Sequence, residues 1–237
     1  MRYAKFVMVM AVSVVCFSSG AQAVPVTLTK LTGLTGGTIA ATAVYQADLS
    51  TAGLGSILSI SIRDNSGTLG GSPGQFTGFD LDAIKLSTTN CADAACAKAA
   101  VGLSVFDFVG GTSFVPGTQR PVADSKLFGT DGSGTAVDDL VATLGLFDGE
   151  STTAIPGAFG FLSMGDDGFL NFNLTAGVST AGLFLYIGEV GDNGEAAASD
   201  IQVRDSHRVP EPGSLALVCV ALAGLVTRRG RRGVGRP

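Results

Sequence analysis

Short apolar segments recur along the chain between residues 26 and 203, and turn signals separate many of them. Within these segments the apolar residues alternate with polar ones. Leu58, Ile60 and Ile62 fall on one face of an extended strand with Ser59 and Ser61 opposite; Leu170, Phe172 and Leu174 do the same against Asn171 and Asn173. A period of two marks an antiparallel strand with one face in a core. The strands expected on this basis are 26–31, 38–45, 57–62, 79–86, 103–109, 141–147, 159–164, 169–174, 183–187 and 201–203. Turns are expected at Asp64-Asn65-Ser66-Gly67, Asp131-Gly132-Ser133-Gly134, Asp166-Asp167-Gly168 and Asp192-Asn193-Gly194, where Asp and Asn accept local hydrogen bonds and Gly supplies positive φ. Residues 159–174 read as a single hairpin, and 93–101 as the one short helical turn. So many short strands in a single domain indicate an all-β fold, an antiparallel β-sandwich, with jelly-roll connections as one way of joining the strands.

Both chain ends carry a different kind of pattern. Arg2 and Lys5 precede a twelve-residue apolar run from Phe6 to Phe17, and Ala21-Gln22-Ala23 places small residues at 21 and 23. This is the layout of a secretory signal peptide cleaved after Ala23. Near the other end, Pro210-Glu211-Pro212 is followed by an apolar run from Leu215 to Val226 and by Arg228, Arg229, Arg231 and Arg232. Twelve helical residues reach roughly 18 Å, well short of the roughly 30 Å hydrocarbon core of a bilayer. Such a segment pauses in a membrane better than it anchors there, and the arginines hold its end on the cytoplasmic side. Pro210 and Pro212 keep Glu211 in extended backbone just outside the apolar run. A plain single-span anchor and an ordinary buried helix are the alternatives; the arginine run argues against the buried helix.

The tetrapeptide Val209-Pro210-Glu211-Pro212, the short span and the arginine cluster resemble, in that order, the PEP-CTERM sorting signal. The resemblance covers residues 209–232 only. It implies an exported protein of a Gram-negative bacterium that makes exopolysaccharide, with Pro210, Glu211 and Pro212 recognised by an exosortase, a membrane-embedded cysteine transpeptidase-like enzyme. The expected division is a signal peptide at 1–23, an exported domain at 24–204, a linker at 205–209 and a sorting signal at 210–237. Within the sorting signal, the motif is 210–212, the transmembrane segment 214–227 and the basic tail 228–237. The Sec translocase and the exosortase-like enzyme are then partners in sorting. The mature form is expected at the cell surface or outside the cell, in contact with exopolysaccharide. The signal covers the tail and leaves the activity of the body open.

The body is acidic. Of 15 Lys and Arg, two lie in the signal peptide and five in the tail; of 20 Asp and Glu, only Glu211 lies in the tail, so residues 24–209 keep 8 basic against 19 acidic side chains. A net charge of −11 disfavours nucleic acid as a partner. Cys91 and Cys96 are the cysteines left between the two end signals, and outside the cytoplasm a pair so close is expected as a disulfide that pins a surface loop. A metal site would need further Cys or His ligands, and His207, the one histidine, falls in the expected linker.

Catalytic equipment is sparse. Gly70-Gly71-Ser72-Pro73-Gly74 has the spacing of a nucleophile elbow without the helix that should follow it, and is read as a turn. Asp80 and Asp82 share a strand face about 7 Å apart. They are either the solvent side of an edge strand, an ion or glycan contact, or the carboxylate pair of a hydrolase. The turn carboxylates allow weak Ca²⁺ contact without matching the EF-hand loop spacing, and no other cofactor is expected. The chain has no tryptophan, which weakens the case for a sugar ring stacked on an aromatic face and leaves Tyr45 and Tyr186 as candidates for it. The reading that follows is a non-enzymatic surface or extracellular-matrix protein, associated with exopolysaccharide or biofilm. The alternatives are a secreted carbohydrate-binding module and a polysaccharide hydrolase.

Overall fold

The structure, a computed structural model, describes residues 22–37, 41–70, 72–150 and 159–208. In chain order the strands are β1 (Ala23–Pro25), β2 (Thr29–Lys30), β3 (Thr35–Gly36), β4 (Ala41–Asp48), β5 (Ser56–Arg63), β6 (Asp80–Ser87), β7 (Thr112–Val115), β8 (Leu162–Ser163), β9 (Phe169–Ser179), β10 (Phe184–Val190) and β11 (Asp200–Arg204). Three short helices interrupt them: α1 (Ala94–Ala99), α2 (Asp139–Ala142) and α3 (Glu195–Ala198). One sheet has the order β1-β11-β5-β9-β7; the other has β2-β4-β10-β6-β8, with β3 also paired to β4. All strand pairs are antiparallel.

From β4 onward every connection leaves one sheet for the other. The pairings nest: β1 with β11, β4 with β10, β5 with β9 and β6 with β8. This is the winding of a jelly roll, in which a chain folded back on itself is rolled so that its two halves pair. It joins the two ends of the body: Ala23 lies opposite Arg204 and Val24 opposite Val203.

The core sits between the sheets. Ala43, Tyr45 and Ala47 of β4, Leu81, Ile84 and Leu86 of β6, and Leu185 and Ile187 of β10 face Ile57, Ile60 and Ile62 of β5, Leu170, Phe172 and Leu174 of β9, and Ile201 and Val203 of β11. Nearly all are fully buried, and each fully buried aliphatic or aromatic side chain contributes about 1.5–3 kcal/mol. The alternation read from sequence holds on β9. On β5 it breaks at a bulge between Ile57 and Ser59. Ile57 therefore joins Ile60 and Ile62 in the core, and Leu58, expected on that face, is only half-buried. An inserted residue reverses the side from that point.

Four expected elements differ. The 26–31 segment is split, because the chain crosses there from β1 in one sheet to β2 in the other. Residues 103–109 form a single bridge, Phe106 to Leu174. Their rings cap the core instead: Phe106 and Phe108 stack at 5.4 Å, and both meet the face or edge of Phe172 near a right angle. Between them Asp107 accepts from the backbone of Val109 and Gly110 and turns the chain. Residues 141–147 hold the end of α2 and a turn. Asp138 caps that helix by accepting from Leu140 N–H at 3.2 Å, and Leu144 and Phe147 are buried, with Leu144 O accepting a single bond from Ile84 N–H of β6 at 2.9 Å. The 159–174 hairpin does not form: β8 pairs with β6 in one sheet while β9 pairs with β5 and β7 in the other. Asp166-Asp167-Gly168 is a turn as expected, but it passes the chain between sheets. There Gly165, at φ 75°, lies so close to Gly117 that a Cβ would meet its backbone.

The expected helical turn at 93–101 is present as α1, and Asp93 caps it by accepting from Cys96 N–H at 2.7 Å. Cys91 and Cys96 are joined by a disulfide with their Cα atoms 5.5 Å apart. It ties the entry of α1 to the outer face of β10, where Tyr186 accepts from Cys91 N–H at 3.1 Å. A loop this small restricts the unfolded chain by about 2 kcal/mol. The Cys91→Ser/Cys96→Ser variant should therefore melt about 4–8 °C lower. Differential scanning calorimetry checks this, and an unchanged melting temperature contradicts the role.

Candidate functional site

The expected sorting motif, Pro210, Glu211 and Pro212, and Ala21 of the expected cleavage site lie outside the described residues. What the structure shows is where these signals join the body. Ala23 is the first residue of β1, so a cut after it would leave Val24 and Pro25 paired on β11. Pro25 sits on an outer strand of its sheet, where a missing N–H costs no ladder bond.

Of the segment expected as a linker, residues 205–208 are described, and 206–208 are docked on the body. After β11 the chain turns across the outer face of the first sheet. Ser59 Oγ donates to Ser206 O at 2.8 Å. Asn173 brackets Arg208, accepting from its N–H at 3.0 Å and donating to its carbonyl at 3.2 Å. His207 Nε2 lies 3.0 Å from Leu174 O. The Arg208 guanidinium stacks on Phe169, with Cζ 4.1 Å from the ring centroid. This explains why Ser59, Ser61 and Asn171 are buried although they occupy the outward positions of their strands. The polar residues that alternation assigned to solvent are the seat of the C-terminal segment.

Asp80 and Asp82 do share a strand face. The edge-strand, solvent-side reading is overturned, however: β6 lies between β10 and β8, and the two side chains are 6% and 0% exposed. Distant loops cover them. Asp82 accepts from Thr42 Oγ1, from Asp148 N–H at 3.2 Å and from Gly149 N–H at 2.8 Å, which pins the 148–149 loop to the sheet. Burial raises its carboxyl to about 7, against the lowering effect of those donors. Asp80 accepts from Ser163 Oγ, and its N–H donates to Glu195. Burial pushes both carboxyls up, that of Glu195 to about 9, with the nearby charges of Asp80 and Glu189 adding to the effect. Neither aspartate presents an oxygen to solvent for a glycan.

Sequence reasoning missed Glu189. It is fully buried at the end of β10 and accepts the N–H groups of Asn193, Gly194, Glu195 and Ala196 at 2.6–3.1 Å. These are the open donors at the start of α3, and a carboxylate there meets both their hydrogen bonds and their partial positive charge. A lone acid inside the apolar run Phe184–Val190 was the available signal. Tyr45 and Tyr186 are also buried, at 3% and 0% exposure, so neither ring offers a face to a sugar. Tyr45 lies against Glu189, and burial with that neighbour raises its hydroxyl well above the usual range.

The turn carboxylates are taken up by protein partners. Asp131 accepts locally from Ser133 Oγ and from the N–H groups of Thr135 and Ala136, while Asp166 pairs with Arg120 and Asp192 with Lys30, both distant in sequence. Among the described residues, no group of three or more His, Cys, Asp or Glu is placed to hold a metal ion. Among the same residues, no helix is long and apolar enough to cross a membrane.

No curated protein and no solved structure matches the chain. A family model does match its end, beginning at the residue that Asn173 brackets. That match implies export, a membrane-anchored precursor and processing by exosortase-type machinery. The chain thus carries at residues 208–232 a PEP-CTERM protein-sorting motif.

Proposed function

We propose that the body is a non-enzymatic surface or extracellular-matrix protein, delivered by the Sec translocase and held in or on exopolysaccharide after the tail is processed. The observation that carries this reading is the sorting motif at 208–232 joined directly to a compact β-fold. Burial of Asp80 and Asp82, the carboxylate pair read from the sequence for hydrolysis, weighs against a hydrolase that uses them. The buried tyrosines and the absence of tryptophan weigh against a lectin that stacks sugar rings on aromatic faces.

In the sorting step, Glu211 between two prolines is the feature an enzyme at the membrane surface reads. Glu211→Ala should leave an unprocessed precursor in the membrane fraction, with processing reduced at least about tenfold if a charge-assisted contact is lost. Intact-mass measurement of the exported protein checks this. A wild-type extracellular form that still ends at Pro237 would sink the processing model. Co-fractionation with the extracellular polysaccharide tests the matrix role: a protein that stays wholly in the soluble fraction is not a matrix component.

A further inference from the structure

The residues 24–209 contain four arginines, and three of them, Arg63, Arg204 and Arg208, meet on the outer face of the first sheet. They border a recess of about 170 Å³ formed where the docked C-terminal segment crosses β5, β9 and β11. Phe169 holds two of the guanidinium groups, with Arg63 Cζ at 5.1 Å and Arg208 Cζ at 4.1 Å from its ring centroid. Arg204 donates to Gln202 Oε1 at 2.9 Å, and Gln202 donates in turn to Asp200 at 2.8 Å.

Two features of this cluster are unusual for so acidic a body. Among the described residues the ion pairs are Lys30–Asp192 and Arg120–Asp166, and none of the three arginines takes part. Arg204 Nε is buried without an acceptor. Burial first, and then the neighbouring charges of Arg204 and Arg63, push the Arg208 guanidinium down. Three cations that make no direct ion pair and outnumber Asp200, the one carboxylate lining the recess, make a place for an anion, and the planar guanidinium fork matches a carboxylate in particular.

We propose that Arg63, Arg204 and Arg208 form a binding site for the carboxylate of a uronic-acid residue in an acidic polysaccharide. The neutral and acceptor groups beside the arginines favour a sugar over a phospholipid headgroup. Gln202, Ser61 and Asp200 line the same recess and offer partners for ring hydroxyls, which a sugar supplies around its carboxylate and a phosphodiester does not; the Asp200 charge opposes any anion equally and leaves the three arginines in excess. The recess is smaller than the roughly 300–1,000 Å³ of drug-sized sites, which suits a single sugar residue of a chain that continues into solvent. This site deepens the matrix reading and rests on it for its biological ligand.

The test uses the full-length protein in detergent, titrated onto immobilised polygalacturonate, onto dextran as a neutral control, and onto vesicles of phosphatidylglycerol or phosphatidylcholine. The tail arginines can bind polyanions by themselves, so a variant with Arg228, Arg229, Arg231 and Arg232 changed to Gln is measured in parallel. Polygalacturonate binding is expected for the wild type and for that tail variant. It should weaken about ten- to a hundredfold in Arg63→Gln/Arg204→Gln, with an unchanged melting temperature. Arg63 is exposed, so Arg63→Gln alone keeps the test decisive if the double variant fails to fold. Equal binding by the body variants, loss of binding in the tail variant, or equal binding to dextran overturns the site. Binding to phosphatidylglycerol vesicles alone assigns the cluster to the membrane surface and also overturns it. Fractionation of cultures separates this site from the matrix reading. If both wild type and the double variant stay with the polysaccharide, the site fails and the matrix role stands. If wild type binds polygalacturonate in vitro but never enters the matrix, the reverse holds.

Discussion

Glu189→Ala is expected to unfold the body or bring it close to unfolding. The substitution removes the acceptor for four backbone N–H groups, at Asn193, Gly194, Glu195 and Ala196; those of Glu195 and Ala196 are buried. A buried donor left without a partner costs about 1–3 kcal/mol, so the two buried donors alone put the expected loss at about 2–6 kcal/mol, against a total stability of about 5–15 kcal/mol for a domain. Glu189→Gln is the informative companion. It keeps an oxygen for the three donors that share Oε1 and turns an amide toward Ala196, so its cost should fall between wild type and Glu189→Ala. Urea denaturation followed by far-UV circular dichroism measures all three. A Glu189→Ala protein within about 1 kcal/mol of wild type would show that these donors find other partners.

The second large effect is a loss of stability as pH rises. Asp82 and Glu195 titrate near 7 and 9 in the folded protein, and Asp80 is also raised, whereas unfolded carboxyls titrate near 4. The folded state therefore holds protons that the unfolded state has already released. Below about pH 4 both states are protonated and the penalty is absent. It grows as pH climbs toward 7 for Asp82 and toward 9 for Glu195. Each unit of difference corresponds to about 1.4 kcal/mol, so the melting temperature should be at least about 5 °C lower at pH 8 than at pH 5. Self-repulsion of a body with net charge −11 acts in the same direction. To separate the two, Asp82→Asn should make the slope below pH 7 shallower and leave the part due to Asp80 and Glu195. A melting temperature that rises from pH 5 to pH 8 would refute the assignment.

Such buried carboxylates explain why the sequence was misleading at Asp80 and Asp82. Alternation gave the correct shared face for the two residues but took the face opposite Phe79 and Leu81 to be wet. The 148–149 loop and α3, from far along the chain, close over it. No local pattern records that coverage. The same physics hid the seat of the C-terminal segment: Ser59, Ser61 and Asn171 look like solvent positions until the residues after β11 fold across them. The cysteine pair was legible because proximity in sequence already brings two side chains within bonding reach.

The sequence by itself determined the all-β character, the α1 turn, the central strands β5, β6, β9 and β10, and the sorting motif. Each of these is written in local terms: period two, capping and turn residues, or an ordered series of proline, apolar run and arginines. Only the tertiary structure decided which strands pair, that 159–174 is a crossing between sheets, that Glu189 holds α3, and that three arginines gather beside the point where the sorting segment leaves the body. The reason is the nesting of the jelly roll. Its pairings join residues as far apart as Ala23 and Arg204, and side chains brought together over that distance share no neighbourhood in sequence.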